Sequence, residues 1–187
     1  MKLLHPALSH VLISVLAIVV ASAAAAEAQA CRHSGKLRGT RGKRDTAHGS
    51  DCCKSGEFYP TYRCSPPMTG RTKATLTLNS FEKGGDGDAP SECNNQFHCD
   101  STPVVALSTG WYHDGKRCHK EITIHVNRRS VKAKVVDERD STTGCDKDHD
   151  FQPPCPNNIV DASKVVWKAL GVPESDWGEM EIFWSED

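Results

Sequence analysis

Nine cysteines are the residues of this chain most able to do chemistry, and all lie between positions 31 and 155: Cys31, Cys52, Cys53, Cys64, Cys93, Cys99, Cys118, Cys145 and Cys155. In an oxidising compartment such a set reads as a disulfide framework. A zinc finger would ask for a C-x-x-C pair ahead of histidines at finger spacing, and no C-x-x-C pair occurs. The count is odd, so at least one thiol is free, pairs between chains or carries an adduct. Asp146, Asp148 and Asp150 share the alternate spacing of a calcium loop, but the sixth and twelfth positions hold Phe151 and Asn157 instead of the Gly and Glu such a loop requires. No metal or other cofactor is therefore expected. The neighbours His98–Cys99 and Cys118–His119 suggest thiolate–imidazolium pairs, yet adjacent residues on a strand point to opposite faces. Trp111–Tyr112 and Phe183–Trp184 are the aromatic candidates for binding, with core packing the weightier reading for both.

The elements that must position these residues are mostly strands. Ala74–Asn79 alternates with period two, and a glycine–acid turn follows at 84–88. Val104–Thr109 is a continuous apolar run between Pro103 and Gly110, the pattern of a strand buried on both faces. Ile122, Ile124 and Val126 share one face, the segment 127–130 makes a turn, and 131–136 alternates again, which predicts a hairpin. One helix is predicted from Asp161 as N-cap to Gly171 as stop, with Val165, Val166, Ala169 and Leu170 on its buried face. The last strand is expected over 179–184. Several short strands with one late helix predict a small closed barrel. The stretch 29–70, rich in Gly, Ser, Arg and Cys and without apolar periodicity, reads as an irregular arm tied by cysteines, and the barrel domain is expected over 71–187.

The first residues read as a secretory signal peptide, taken as 1–28 with cleavage between 26 and 30. Lys2 supplies the basic end, 12–20 the apolar segment, and Ala26, Ala28 and Ala30 the small residues of cleavage sites. The apolar segment is short for a bilayer span of about 20 residues, so no membrane attachment is expected after cleavage. A formal net charge of −1 argues against a general nucleic-acid binder. Positive charge gathers at Arg32, Lys36, Arg38, Arg41, Lys43 and Arg44, and negative charge at the other end from Glu174 to Asp187. Both runs read first as solvated termini.

Long strings in order carry a resemblance: YPTYRCSPP (59–67), TLNSFEKGGDGDAPSEC (77–93), VVALSTGWY (104–112), VVDERDSTTGCDKDHDFQPPC (135–155) and NNIVDASKVVWKALGV (157–172). On these the chain resembles the kiwellin family of plants, also called ripening-related proteins. The resemblance implies a mainly β fold, a six-stranded double-psi β-barrel of the barwin and expansin type, with one or two short helices and the arm before it. It also implies secretion to the apoplast and a defence role without enzymatic activity, in which some members bind and block metabolic enzymes secreted by fungal pathogens. Asp137 and Asp161 stand where wall-active relatives of the barrel place acids, which makes them the candidate groove carboxylates; cleaving a glycosidic bond needs two such groups across it.

The cysteines depart from the family pattern. Family members usually have Cys at the place of Arg139 and another near Arg44, whereas Cys99 stands where they tend to have Ser or Asp. Eight cysteines (Cys31, Cys52, Cys53, Cys64, Cys93, Cys118, Cys145 and Cys155) thus look inherited and are expected to pair, with Cys99 free or rewired. That holds if the two missing cysteines were each other's partners; otherwise two orphans stand beside Cys99. The chain is read as a monomeric, secreted binding protein whose partner is a pathogen-secreted protein, engaged through the loops 80–90 and 137–151, both long, polar and tethered by cysteines. The alternative is a cell-wall polysaccharide binder or loosener working through Asp137 and Asp161.

Overall fold

The computed structural model describes residues 31–40, 52–85, 89–149 and 151–186. The segment read as a signal peptide, with its expected cleavage region, lies outside the described residues, as do Arg41, Lys43 and Arg44 of the basic run. Residues from Cys31 to Asp187 form a compact unit.

Strands β1 (Gly35–Arg38) and β2 (Phe58–Thr61) pair antiparallel into a small sheet. The arm is therefore more regular than its composition suggested, because backbone pairing from Gly35↔Thr61 to Arg38↔Phe58 needs no apolar periodicity. Six further strands close into a barrel: β3 (Thr72–Leu78), β4 (Val104–Ser108), β5 (Glu121–Val126), β6 (Arg129–Arg139), β7 (Ile159–Ala162) and β8 (Glu179–Glu186). Their order around the barrel is β3-β7-β4-β6-β5-β8, and β8 returns to β3. The pairs β3–β7 and β4–β6 are parallel and the other four antiparallel. This is the mainly β, six-stranded closed barrel expected. Closure leaves none of the six as an unpaired edge.

Alternation explains the core. Ala74, Leu76, Ile122, Ile124, Ala133, Val135, Val160, Ala162, Ile182 and Trp184 point inward and are fully buried, while their neighbours in sequence point out. All five residues of β4 are buried: Val105 and Leu107 join this core, and Val104 and Ala106 pack with Phe81 and Val136 in a second cluster. A bulge between Val105 and Ala106 shifts the β4–β6 register, so Val105 faces Val135 and Ala106 faces Asp137.

Two short helices pack against the barrel and bury side chains in its core. In α1 (Thr109–Tyr112) Trp111 enters the core and meets Trp184 edge-on at 5.1 Å. Gly110 is required there: a Cβ would lie 2.1 Å from the amide nitrogen of Ser65, so only glycine lets α1 close on the arm beside Cys64. In α2 (Lys164–Ala169) Val166 and Trp167 are buried. The N-cap position belongs to Ser163, and Asp161 lies within β7, which corrects the expected cap. Pairing of β7 with both β3 and β4 holds Asp161 extended and moves the helix start two residues along. Ser163 does not cap either. Its Oγ donates to the Thr102 carbonyl at 2.7 Å and accepts from the Val104 amide.

Three disulfides brace this frame: Cys31–Cys64, Cys53–Cys145 and Cys93–Cys118. The first ties the two ends of the arm. The second ties the arm to the segment after β6, and the third spans the approach to β5. Cys52, Cys99 and Cys155 are free thiols. The expectation that Cys52 and Cys155 would pair is thus corrected, and the outcome is two orphans beside Cys99. The physical reason is visible at Cys155, whose thiol has the Arg139 guanidinium as its neighbour and no second cysteine bonded to it.

Candidate functional site

Strand register brings the two expected carboxylates onto one row. Asp137 of β6 and Asp161 of β7 both face Ala106 of the strand between them. Paired residues on neighbouring strands share a face, so both point to the outer side of the barrel, their Cα atoms two strand spacings, roughly 10 Å, apart. Thr77 of β3 and Arg139 of β6 lie on the same face.

The two acids differ in state. Asp161 is 3% exposed. Its Oδ1 accepts a hydrogen bond from Thr77 Oγ1 at 2.7 Å, and its Oδ2 lies 3.3 Å from Arg139 Nε. A buried carboxylate needs such a counterion, since an unpaired one costs several kcal/mol by desolvation, on the order of 3–5 when one partner is removed. Asp137 is more accessible. Burial raises its pKa, against the opposing effect of hydrogen bonds from the amides of Glu92 at 3.1 Å and Glu138 at 2.8 Å. Glu138 beside it is also raised, again by burial first, while its carboxylate accepts from Thr109 Oγ1.

This arrangement does not put two acids on either side of a substrate bond. Glycosidic hydrolysis asks for carboxyls roughly 5–9.5 Å apart that both reach the sugar, whereas Asp161 is closed off beneath Arg139. Asp161 stabilises the β3–β7–β6 surface, and Asp137 alone of the pair is available to a ligand.

The loop after β6 is held from several sides. Asp140 accepts hydrogen bonds from the amide and hydroxyl of Thr142 and from the amide and hydroxyl of Thr143. Burial raises its pKa, but those bonds together outweigh burial and hold the carboxyl below its usual range. Cys145 is bonded to Cys53, and the Phe151 carbonyl accepts from the Cys53 amide at 2.8 Å. Asp146 Oδ1 engages His149, 3.0 Å from its amide and 2.6 Å from its Nδ1. Among the described residues no group of three potential ligands gathers for a metal. Asp150 and the side chain of Asp148 lie outside the description. The loop therefore offers exposed polar groups, Lys147 among them, on a backbone fixed by one disulfide and many hydrogen bonds. The other loop, 80–90, is described except for 86–88. It is pinned by buried Phe81 and by Glu82, which accepts from the Asp100 amide at 2.8 Å.

The aromatic pairs split. Trp111, Tyr112 and Trp184 belong to the core, whereas Phe183 faces outward with the Arg71 guanidinium 4.3 Å over its ring. Of the Cys–His neighbours, Cys118 is bridged and Cys99 is an exposed thiol. The sequence pattern did not single out Arg71, Arg128 and Arg129, which line a groove together with Phe183. The turn at 127–130 marks Arg128 and Arg129 but not Arg71.

Fold and site together define a disulfide-braced barrel protein with fixed polar loops, and among the described residues no helix is long and apolar enough to cross a membrane. A family profile described as Kiwellin-1 matches residues 3–187, and the chain belongs to the kiwellin family. It is 46% identical to ripening-related protein 3 of Oryza sativa subsp. japonica, with 96% of this chain and 94% of that protein covered. It is 54% identical to kiwellin of Actinidia chinensis var. chinensis over 73% of this chain and 64% of that one. Ripening-related protein grip22 of Vitis vinifera is 57% identical, covering 73% and 62%. Among solved structures, an apo expansin from Clavibacter michiganensis aligns at TM-score 0.45 and 19% identity, covering 63% of this chain and 50% of that one. The Streptomyces papain inhibitor aligns at 0.43 and 14%, covering 64% and 96%.

Proposed function

We propose that this chain is a secreted plant defence-type binding protein of the apoplast that occupies and blocks a protein secreted by a pathogen, acting stoichiometrically through its surface loops. The observation that carries the reading is the loop following β6. It is exposed and polar, yet it is locked by Cys53–Cys145 and by the four hydrogen bonds into Asp140. A loop fixed before binding loses little conformational entropy on docking, which is how preorganised inhibitors gain affinity. The burial of Asp161 under Arg139 supports binding over catalysis at this surface. The three disulfides suit an oxidising, extracellular setting.

The test uses the mature protein as bait in pathogen culture filtrate, followed by light scattering and activity assays on any captured enzyme. A one-to-one complex that inhibits the enzyme, and that Lys147→Glu weakens, is the expected result. Folded bait that captures nothing would sink the proposal. Retention on cellulose or pectin, abolished by Asp137→Asn, would instead favour the polysaccharide reading.

A further inference from the structure

A groove lies on the outer face formed by β3, β8, β5 and β6, and neither loop lines it. Across these strands Lys73, Phe183, His125 and Ser130 form one row. The groove encloses about 750 Å³. Three guanidiniums stand around it, those of Arg71, Arg128 and Arg129, and all three residues are exposed. Its single carboxylate, Glu181, is already engaged by Lys73 Nζ at 2.6 Å. Among the described residues no carboxylate pairs with any of the three arginines. Over the residues that line it, the groove thus carries net positive charge.

The placement of these arginines is not what stability alone selects. Asn127 and Arg128 both have positive φ, 46° and 65°, as the centre of a tight hairpin turn requires. Glycine is the residue that suits the second of these positions, and an arginine there is strained. Arg71 is laid over the Phe183 ring, an arrangement that restricts the guanidinium before any ligand arrives. Arg129 packs against Gly171, where a Cβ would lie 2.4 Å from Nη1. Preset arginines are suited to bidentate recognition of carboxylates.

We infer that this groove is a docking site for an acidic peptide segment of a protein partner, its carboxylates taken by Arg71, Arg128 and Arg129. The inference rests on the reading that the chain acts by binding a protein. A peptide fits better than an acidic polysaccharide, because stacking on an aromatic face, which would add to a sugar's ionic contacts, is not on offer here. The face of Phe183 is covered by Arg71.

The probe is a fluorescent peptide of six glutamates, titrated with the mature protein and followed by anisotropy at low and moderate salt. Saturable binding is expected, weakened about tenfold by Arg71→Ala or Arg128→Gly and weakened further by added salt. Arg128→Gly is the informative variant, because it removes the guanidinium while relieving the turn, so its melting temperature should hold or rise. Arg63→Ala, an exposed arginine outside the groove, should leave binding unchanged. No saturable binding, or equal loss with Arg63→Ala and Arg128→Gly, would overturn the site. Binding of oligogalacturonate without binding of the peptide would overturn the choice of ligand. If a partner captured through the loops still binds Arg128→Gly fully, the groove reading fails and the loop reading stands.

Discussion

Differential alkylation of the three thiols gives a quantitative test of the cysteine framework. Burial pushes the Cys155 thiol up to about 11 from an ordinary value of 9.0, with Arg139 opposing the rise. Two pH units lower the thiolate fraction about a hundredfold near neutral pH. The more basic thiolate is also the better nucleophile, and with a Brønsted slope near 0.45 this returns about a factor of 8. Titration alone therefore slows Cys155 by roughly tenfold relative to an ordinary thiol, and steric closure slows it further. The assay is iodoacetamide labelling of unreduced protein at pH 7.5 with peptide mapping over time. Cys99, the exposed thiol, should label first, Cys52 more slowly and Cys155 last. After unfolding without reduction all three should label, and the six bridged cysteines should not. Cys155 labelled as fast as Cys99 would refute the burial argument. Failure of Cys52 or Cys155 to label in the unfolded, unreduced protein would refute the assignment of three bridges.

Two further outcomes follow from the same geometry. Replacing Cys53 and Cys145 by Ala removes a cross-link over a sequence separation of 92, and the chain-entropy account puts the loss at about 4–5 kcal/mol. Guanidinium unfolding should show this as a lower midpoint, together with a mobile 140–151 segment in hydrogen exchange. Asp137→Asn tests the raised pKa of that carboxyl. A folded pKa above the unfolded one means the native state holds the proton more tightly, so wild-type stability falls as pH rises through that interval. The Asn variant keeps an oxygen for the amides of Glu92 and Glu138 but carries no charge. The stability difference between variant and wild type should move in the variant's favour from pH 3 to pH 7, read by urea unfolding at the two values, and a move the other way would contradict the assignment.

Local pattern reaches as far as the strands of this protein. Alternation at Ala74–Leu78, Ile122–Val126 and Val131–Val135, and the unbroken apolar run at Val104–Leu107, follow from side-chain period and burial. The family strings then supply the closed barrel that pairs those strands. Gly171 as a helix stop is likewise local, since it takes a positive φ directly after α2. Asp161 shows where local reasoning ends. As a sequence position it looks like an N-cap, but pairing with two strands, one on each side, keeps it extended. Only the tertiary fold sets Arg139 against it and leaves Cys155 without a partner. The β1–β2 pair was equally illegible, because backbone hydrogen bonds between strands leave no mark on the side chains. The arginine groove joins residues from position 70 to position 183. A sequence can state that Arg71, Arg128 and Arg129 carry charge, but closing the barrel brings β3, β8, β5 and β6 side by side and sums that charge on one face.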